Sequence, residues 1–324
     1  MNLSRTTYFP IDAVITWVDG SDPILSAKRN SYLTDPKAAS DDNIAGSTRY
    51  IERGEIHWCV RSINKFMPWI RRIFIVTDGQ DPKVKSQIPV EIIDHKVIFR
   101  GYEQYLPTFN SLSIEALLWR IPGLSEHFIY FNDDFLVCRP VSPNLFFPKE
   151  GEVICHGRES SVLCTKTVQF IKHFVLRKGQ VNHIKQMMLA ANITGNNGTF
   201  IHLSHTPYPL IRSVLEQFYT QHSDKLIQNI RNRFRSLEHF RTDELCYMLL
   251  RQKGRLHLRP VRPILMRYYS RKGMLRLEYT LHRVTKPNSK ICFACFYALE
   301  KTDVQVFNRI TQFVENLLQD NKEE

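Results

Sequence analysis

The chain has 324 residues, 43% apolar and 23% charged, ordinary globular usage that excludes a disordered or fibrous protein. No run approaches the ~18 consecutive apolar residues a spanning helix needs, and the opening MNLSRTTYFPIDAVITW has no apolar core of a cleaved signal, so a cytoplasmic protein is expected. The net charge is +12, and seven cysteines, an odd count in apolar surroundings, suit reduced thiols.

Residues 11–18, IDAVITWV, read as a buried strand: short, β-branched and ended by the turn DGSDP. Residues 24–50 are polar and read as a surface excursion. EIHWCVRSINKF, 55–66, repeats apolar residues at helical spacing, and RIFIVTD then reads as a second strand ended by DGQDP. VEIIDHKVIF predicts a third strand, and SLSIEALLWR, 111–120, a helix stopped by Pro122 and Gly123. HFIYFN is a fourth strand that runs into Asp133 and Asp134. After residue 150 helical periodicity dominates, at 166–190, 207–220, 224–237 and 241–252, interrupted by a Gly-, Asn- and His-rich loop at 192–208. Short strands and turns are expected from 251 to 290, and an amphipathic helix over 302–319.

Strands alternating with helices predict an α/β fold, a Rossmann-like or GT-A-like mixed sheet with flanking helices and a mainly helical second half. Ligands of such sheets sit beyond the carboxyl ends of the strands. Three strands end there in carboxylates, at Asp19, Asp78 and Asp133–Asp134. Adjacent carboxylates repel unless a cation lies between them or one is protonated. Oxygen ligands suit Mg²⁺ or Mn²⁺ shared with a substrate phosphate. A plain Asn-Asp-Asp turn is the alternative. In TWVDGSDP, Trp17 offers a stacking face, Asp19 a hydrogen-bond acceptor and Gly20 the turn; a core Trp before an ordinary turn explains the same residues. His202, His205 and Arg212 lie in or just after the 192–208 loop, where a histidine can serve as base or orient a phosphate; a structural histidine, His202 above all, is the alternative. Arg233 and Arg235 in NRFRS can grip phosphate oxygens, or can line a solvated helix face. Cys292 and Cys295 form a CxxC with no second ligand pair, which points to packing rather than zinc. P-loop, GxGxxG, GxSxG and HExxH patterns are missing, and the enzyme classes they mark lose support.

These pieces resemble the Stealth family of sugar-1-phosphate transferases. IDAVITWVDGSDP is similar to its first conserved block. RYIERGEIHWCVRSINKFMPWIRRIFIVTDGQDP with LPTFNSLSIEALLWRIPGLSEHFIYFNDDF is similar to the second, HTPYPLIRSVLEQF to the third, and IRNRFRSLEHFRTDELCYMLL, more loosely, to the fourth. In that fourth block Glu238 is kept but His239 follows where acids are expected. The resemblance implies a catalytic domain over 1–250, with 251–324 packed on it. It implies transfer of a hexose-1-phosphate from a UDP-sugar such as UDP-GlcNAc to an oligosaccharide or polysaccharide hydroxyl, UMP leaving, in capsule synthesis. Under it, Asp133 and Asp134 hold Mg²⁺ or Mn²⁺, with Asp134, His205 and Arg235 catalytic and His205 the base. Trp17, Asp19, Gly20, Arg61, Asp78, Asn110, Ser111, Glu115 and Arg233 bind substrate, Glu115 orienting an arginine. A glycosyltransferase that releases UDP is the alternative.

Twelve Lys or Arg and one acid, Glu278, lie between Arg251 and Lys290. So one-sided a run is expected to meet a polyanionic product or an anionic membrane surface beside export machinery. Nucleic acid is not expected as a partner, because only Tyr268, Tyr269 and Tyr279 are interleaved for stacking.

Overall fold

The computed structural model describes residues 9–33, 53–174, 182–261, 263–267, 273–297 and 299–319. Its centre is a five-stranded sheet whose members enter in chain order as β1 (Ile11–Thr16), β2 (Ile73–Thr77), β3 (Val90–Asp94), β4 (His127–Asn132) and, much later, β9 (Tyr208–Ile211). The spatial order is β3-β2-β1-β4-β9, the first four parallel and β9 antiparallel to β4. β1 and β2 are near-continuously apolar and buried, as strands covered on both faces must be.

The helices before β4 are α1 (Pro23–Tyr32), α2 (Glu55–Phe66), α3 (His95–Ile98) and α4 (Ser111–Glu115). α1 starts cleanly because Asp22 caps the amide of Ile24 and Pro23 takes the first turn. It occupies part of the stretch read as a surface excursion; the remainder, 34–52, lies outside the described residues. The strand expected over VEIIDHKVIF stops at Asp94, whose side chain accepts from the Lys96 amide and starts α3. The helix expected over 111–120 breaks after Glu115 and resumes as a 3₁₀ turn, Leu118–Arg120.

Beyond β4 come β5 (Phe135–Val137), β6 (Val153–Cys155), β7 (Gly157–Ser161), α5 (Val162–Phe174), α6 (Asn182–Ile193) and β8 (Thr199–Leu203). β8 pairs with β7 and turns the expected 192–208 loop into half a hairpin. After β9 follow α7 (Arg212–Gln221), α8 (Ser223–Ile230) and α9 (Thr242–Gln252). The NRFRS stretch is therefore a loop after α8, not a helix face. The basic segment holds β10 (Leu256–Leu258), β11 (Ile264–Arg267) and an unexpected helix, α10 (Met274–Thr285), whose Leu277, Leu281 and Val284 are buried. β12 (Phe293–Tyr297) and α11 (Val304–Leu318) close the chain. β12 pairs antiparallel with β5 and α11 packs against α2, so one hydrophobic core runs from Ile11 to Leu318.

Candidate active site

β1 is flanked by β2 on one side and β4 on the other, so the strand order reverses between β1 and β4. A parallel sheet opens a crevice at such a switch point, beyond the carboxyl ends. β1 and β4 end there in register, Thr16 opposite Asn132, and lead into Trp17–Asp19 on one side and Asp133–Asp134 on the other.

The acidic half of the site is the β4–β5 turn. Asp134 keeps some exposed surface, yet its Oδ1 is buried without a hydrogen-bond partner. Its Oδ2 accepts from the Cys295 thiol at 3.4 Å, and its carbonyl accepts from the Phe296 amide at 2.9 Å. Burial pushes the Asp134 carboxyl up to about 6, against the hydrogen bond from Cys295. From the other side, Cys59 of α2 donates to the Asn132 carbonyl at 3.8 Å; burial, then the charges of Asp133 and Asp134, push its thiol pKa up.

Toward β9 a polar chain crosses the crevice. Thr16 and Tyr130 share a hydrogen bond of 2.9 Å, and Tyr130 donates to Glu115 Oε1 at 3.3 Å. Glu115 is buried, its Oε2 has no hydrogen-bond partner, and burial raises its pKa, opposed by Arg241 and Arg235 and reinforced by Asp243. Arg241 lies over the Tyr208 ring at 5.2 Å and ion-pairs with the buried Asp243, its Nε donating at 2.9 Å. Burial opposes the Arg241 charge, but Asp243, Tyr208 and Glu115 outweigh that and raise its pKa. Beyond Arg241 stand His183, His202 and His205. The His183 side chain is solvent-accessible, yet desolvation, followed by Arg241, His205, His202 and Arg235, pushes it down to about 4. His205 is exposed between β8 and β9.

The loop after α8 is stitched to α4. Phe109 N donates to the Arg233 carbonyl at 2.8 Å, Ser113 Oγ to the Asn229 carbonyl at 2.7 Å, and Arg235 Nη2 to Ser111 Oγ at 3.0 Å. Asn110 caps α4 through Leu112 N and hydrogen-bonds His239 at 2.9 Å. Asn110 and Ser111 thus fix where Arg235 stands. Glu115, Ser111, Arg235 and Arg241 thus interact around α4, while His205 acts on His183, and Asp133 and Asp134 act on Cys295.

Other expected residues are committed elsewhere. Arg61 pairs with Glu315 of α11 at 2.7 Å and lines a basic cleft with Lys65 and Lys85. Asp78 pairs with Lys28 at 2.5 Å. Asp19 Oδ1 accepts from the Ser21 amide and hydroxyl, while Gln80 ties the Asp19 backbone to Asp22. The carbonyl of Gly20 accepts from Ser26 Oγ. Trp17 is 7% exposed, a core residue whose Nε1 nevertheless lacks a partner. Arg233 clamps the carbonyls of Gln104 and Leu106 and lies over Tyr32 at 4.7 Å. Arg212 sits at the amino edge, paired with Glu126 and Glu216. Glu238 is on the surface with Arg231. The buried acids of that block are Asp243 and Glu244, which the sequence reading passed over. Their signal was the run Arg-Thr-Asp-Glu opening a strongly apolar helix, where acids favour the first turn.

The donor set fits a hard cation held by one or two carboxylates, the remaining positions left to water and substrate phosphate. Asp134 Oδ1, buried and unpartnered, is the atom such an ion would satisfy. Among the described residues no group of three or more His, Cys, Asp or Glu forms a complete metal cage. No helix among them is long and apolar enough to cross a membrane.

Family models for Stealth conserved region 1 and conserved region 2 match residues 9–35 and 49–154. A capsular polysaccharide phosphotransferase of Actinobacillus pleuropneumoniae, cps1A, is 34% identical over 229 residues, 70% of this chain; the chain spans 61% of that relative's length. The receptor polysaccharide phosphotransferase WefC of Streptococcus oralis is 32% identical over 248 residues, covering 70% of this chain and 74% of its own. The solved galactosyltransferase LgtC aligns over 96% of this chain and 98% of its own at 10% identity, with a TM-score of 0.42, too loose a match to carry a conclusion.

Proposed function

The chain belongs to the Stealth protein family, and on that premise we propose that it transfers a hexose-1-phosphate, N-acetylhexosamine-1-phosphate foremost, from a UDP-sugar to a saccharide hydroxyl, building a phosphodiester-linked polysaccharide. One observation carries the reading. At a single switch point, a turn of two carboxylates leaves Asp134 Oδ1 buried without a partner, and Arg235 and Arg241 act on Glu115, which Tyr130 of the adjoining strand β4 hydrogen-bonds. That arrangement suits a diphosphate held through a cation on one side and by direct charge on the other.

Asp133 and Asp134 are the residues that would hold Mg²⁺ or Mn²⁺, which when bound supplies positive charge against the donor's diphosphate. Arg235, positioned by Ser111, and Arg241, positioned by Asp243, offer guanidinium groups to the phosphate oxygens. Trp17 Nε1 and Glu115 Oε2, buried without hydrogen-bond partners, are the groups that donor carbonyls and hydroxyls would satisfy. The acceptor oxygen bonds to the sugar-bearing phosphorus, and the bond from that phosphorus to the bridging oxygen breaks. The electron pair leaves with UMP, and the acceptor proton passes to His205. Such transfers depend on positioning and charge neutralisation more than on covalent help from the protein.

The basic segment serves the product in this reading. Arg255 and Arg259 are exposed, α10 exposes Arg276 and Arg283, and the segment's single acid, Glu278, is engaged by Arg309 at 2.6 and 2.8 Å. A chain with one negative charge per linkage is held there electrostatically. Docking to an anionic membrane is the competing use of the same charge.

The test is to incubate the protein with UDP-hexosamines, Mg²⁺ and a short acceptor and to identify the released nucleotide. UMP with a new phosphodiester supports the proposal. UDP with a new glycosidic bond converts it to a glycosyltransferase.

A further inference from the structure

The CxxC of the C-terminal strand divides its two thiols between different tasks. Residues three apart on a strand point to opposite faces. Cys292 leads into β12 and meets Cys138, whose amide donates to the Cys292 carbonyl at 2.8 Å. Cys295 lies in β12 opposite Phe135 and sends its thiol to Asp134 Oδ2 at 3.4 Å. The same strand fixes the backbone of that aspartate, through Phe296 N to the Asp134 carbonyl. Asp134 is therefore held at two points by a strand 161 residues away in sequence. Of its two carboxylate oxygens, one is occupied by the thiol and the other, Oδ1, is buried without a partner.

We infer that Cys295 is a positioning residue: its thiol pins Asp134 Oδ2 so that Oδ1 is the oxygen presented to the cation. This rests on the reading of Asp134 as a metal carboxylate. A weak S–H donor is suited to the task, because it sets the rotation of the carboxylate while drawing little charge from it. Cys295 itself is 3% exposed and buried in the core, out of reach of substrate.

Removing an outer partner of a metal ligand typically costs about 10–100-fold in affinity, and a thiol belongs at the low end, about 10-fold. The experiment measures binding of Mn²⁺ alone to the full chain, by loss of the free-ion paramagnetic resonance signal. The variants are Cys295→Ala, Cys295→Ser, Cys292→Ala and Asp134→Asn, each checked for an unchanged melting temperature. The expected result is about 10-fold weaker Mn²⁺ binding for Cys295→Ala, substantial recovery for Cys295→Ser, which keeps a donor, and wild-type binding for Cys292→Ala. Asp134→Asn should lose binding altogether. Wild-type affinity in Cys295→Ala, with binding lost in Asp134→Asn, overturns the inference and leaves the metal reading standing. Wild-type affinity in Asp134→Asn overturns the metal reading and the inference together. An equal loss in Cys295→Ser and Cys295→Ala also overturns the inference, because the donor then has no part in it.

Discussion

The two ends of the central sheet each hold an aspartate with a buried carboxylate oxygen, and they are treated in opposite ways. At the amino end, Asp12 is 0% exposed and fully satisfied: Arg71 Nε and Nη2 donate to its two oxygens at 2.8 and 2.6 Å, and the Ser125 amide adds a bond at 2.7 Å. Arg71 in turn donates to the Gly123 carbonyl, so the cluster ties β1 to the loop before β4. At the carboxyl end, Asp134 has one oxygen without a partner, and Glu115 and Trp17 each keep an unpartnered buried atom nearby. A buried polar atom left unmatched costs about 1–3 kcal/mol. Asp134 bears that cost and Asp12 avoids it. The difference separates an acid that holds the sheet together from acids that the proposed function gives to a ligand.

Exchanging the two roles by mutation gives the largest expected effects. Asp134→Asn should abolish turnover, a loss of several kcal/mol of transition-state stabilisation, while leaving the melting temperature unchanged or raised. Chelator on the wild type should imitate it, with Mg²⁺ or Mn²⁺ restoring activity; a variant still active in chelator would sink the metal reading. Asp12→Asn should do the reverse, lowering stability by about 3 kcal/mol, the low end for a broken buried pair because Arg71 stays half-exposed, with a normal rate per folded molecule. If Asp12→Asn cuts the rate without unfolding the chain, the contrast between the two edges fails.

Next in size are two further residues of the proposed mechanism. His205→Ala and Arg235→Ala should each slow turnover at least ~10²-fold at unchanged stability. Early melting with normal specific activity would place both residues on the structural side of the contrast.

His95 sharpens the comparison through pH. It lies at the carboxyl edge, both ring nitrogens buried without hydrogen-bond partners. Burial, against Asp78 and Asp94 and with help from Lys28, pushes it from 6.5 to about 4. Below 6.5 the unfolded chain takes up a proton that the folded chain refuses until about 4, so stability falls as pH drops through that window. Urea titrations at pH 7 and 4.5 should show His95→Leu losing up to about 3 kcal/mol less than wild type between those values. Equal losses would mean the ring is not held neutral.

The smallest effect belongs to the basic segment. Neutralising Arg255, Arg259, Arg276 and Arg283 together should shorten products a few-fold, as should salt, since exposed charges are screened over roughly 8 Å at physiological ionic strength. Transfer to a minimal acceptor should persist. Unchanged product length without lipid, with vesicle binding lost, would move the segment to the membrane.

Much of the sheet was legible because its parallel strands are short apolar runs ended by turn residues. Asp133–Asp134 was legible because two acids followed such a run. Local chemistry misled where a side chain competed with the strand, as Asp94 does when it caps α3. Long-range pairing hid the rest. Nothing near Arg61 in sequence announces Glu315, nothing near Asp134 announces Cys295, and Arg241 gains its setting only once β9 brings Tyr208 beneath it. Asp12 was passed over because a charged residue inside a strand looks like noise until its arginine is seen.

The pairing of β12 with β5 also has a consequence for biosynthesis. The turn bearing Asp134 leaves the ribosome 161 residues ahead of the thiol that orients it. Closing so long a loop is slow relative to local folding, and chains fold as they emerge. A nascent chain that has already built β1 to β4 still lacks the strand that braces its acidic turn. Under the proposed function no competent enzyme exists until synthesis has passed Tyr297, and a fragment ending at α9 should fold in part yet stay inert.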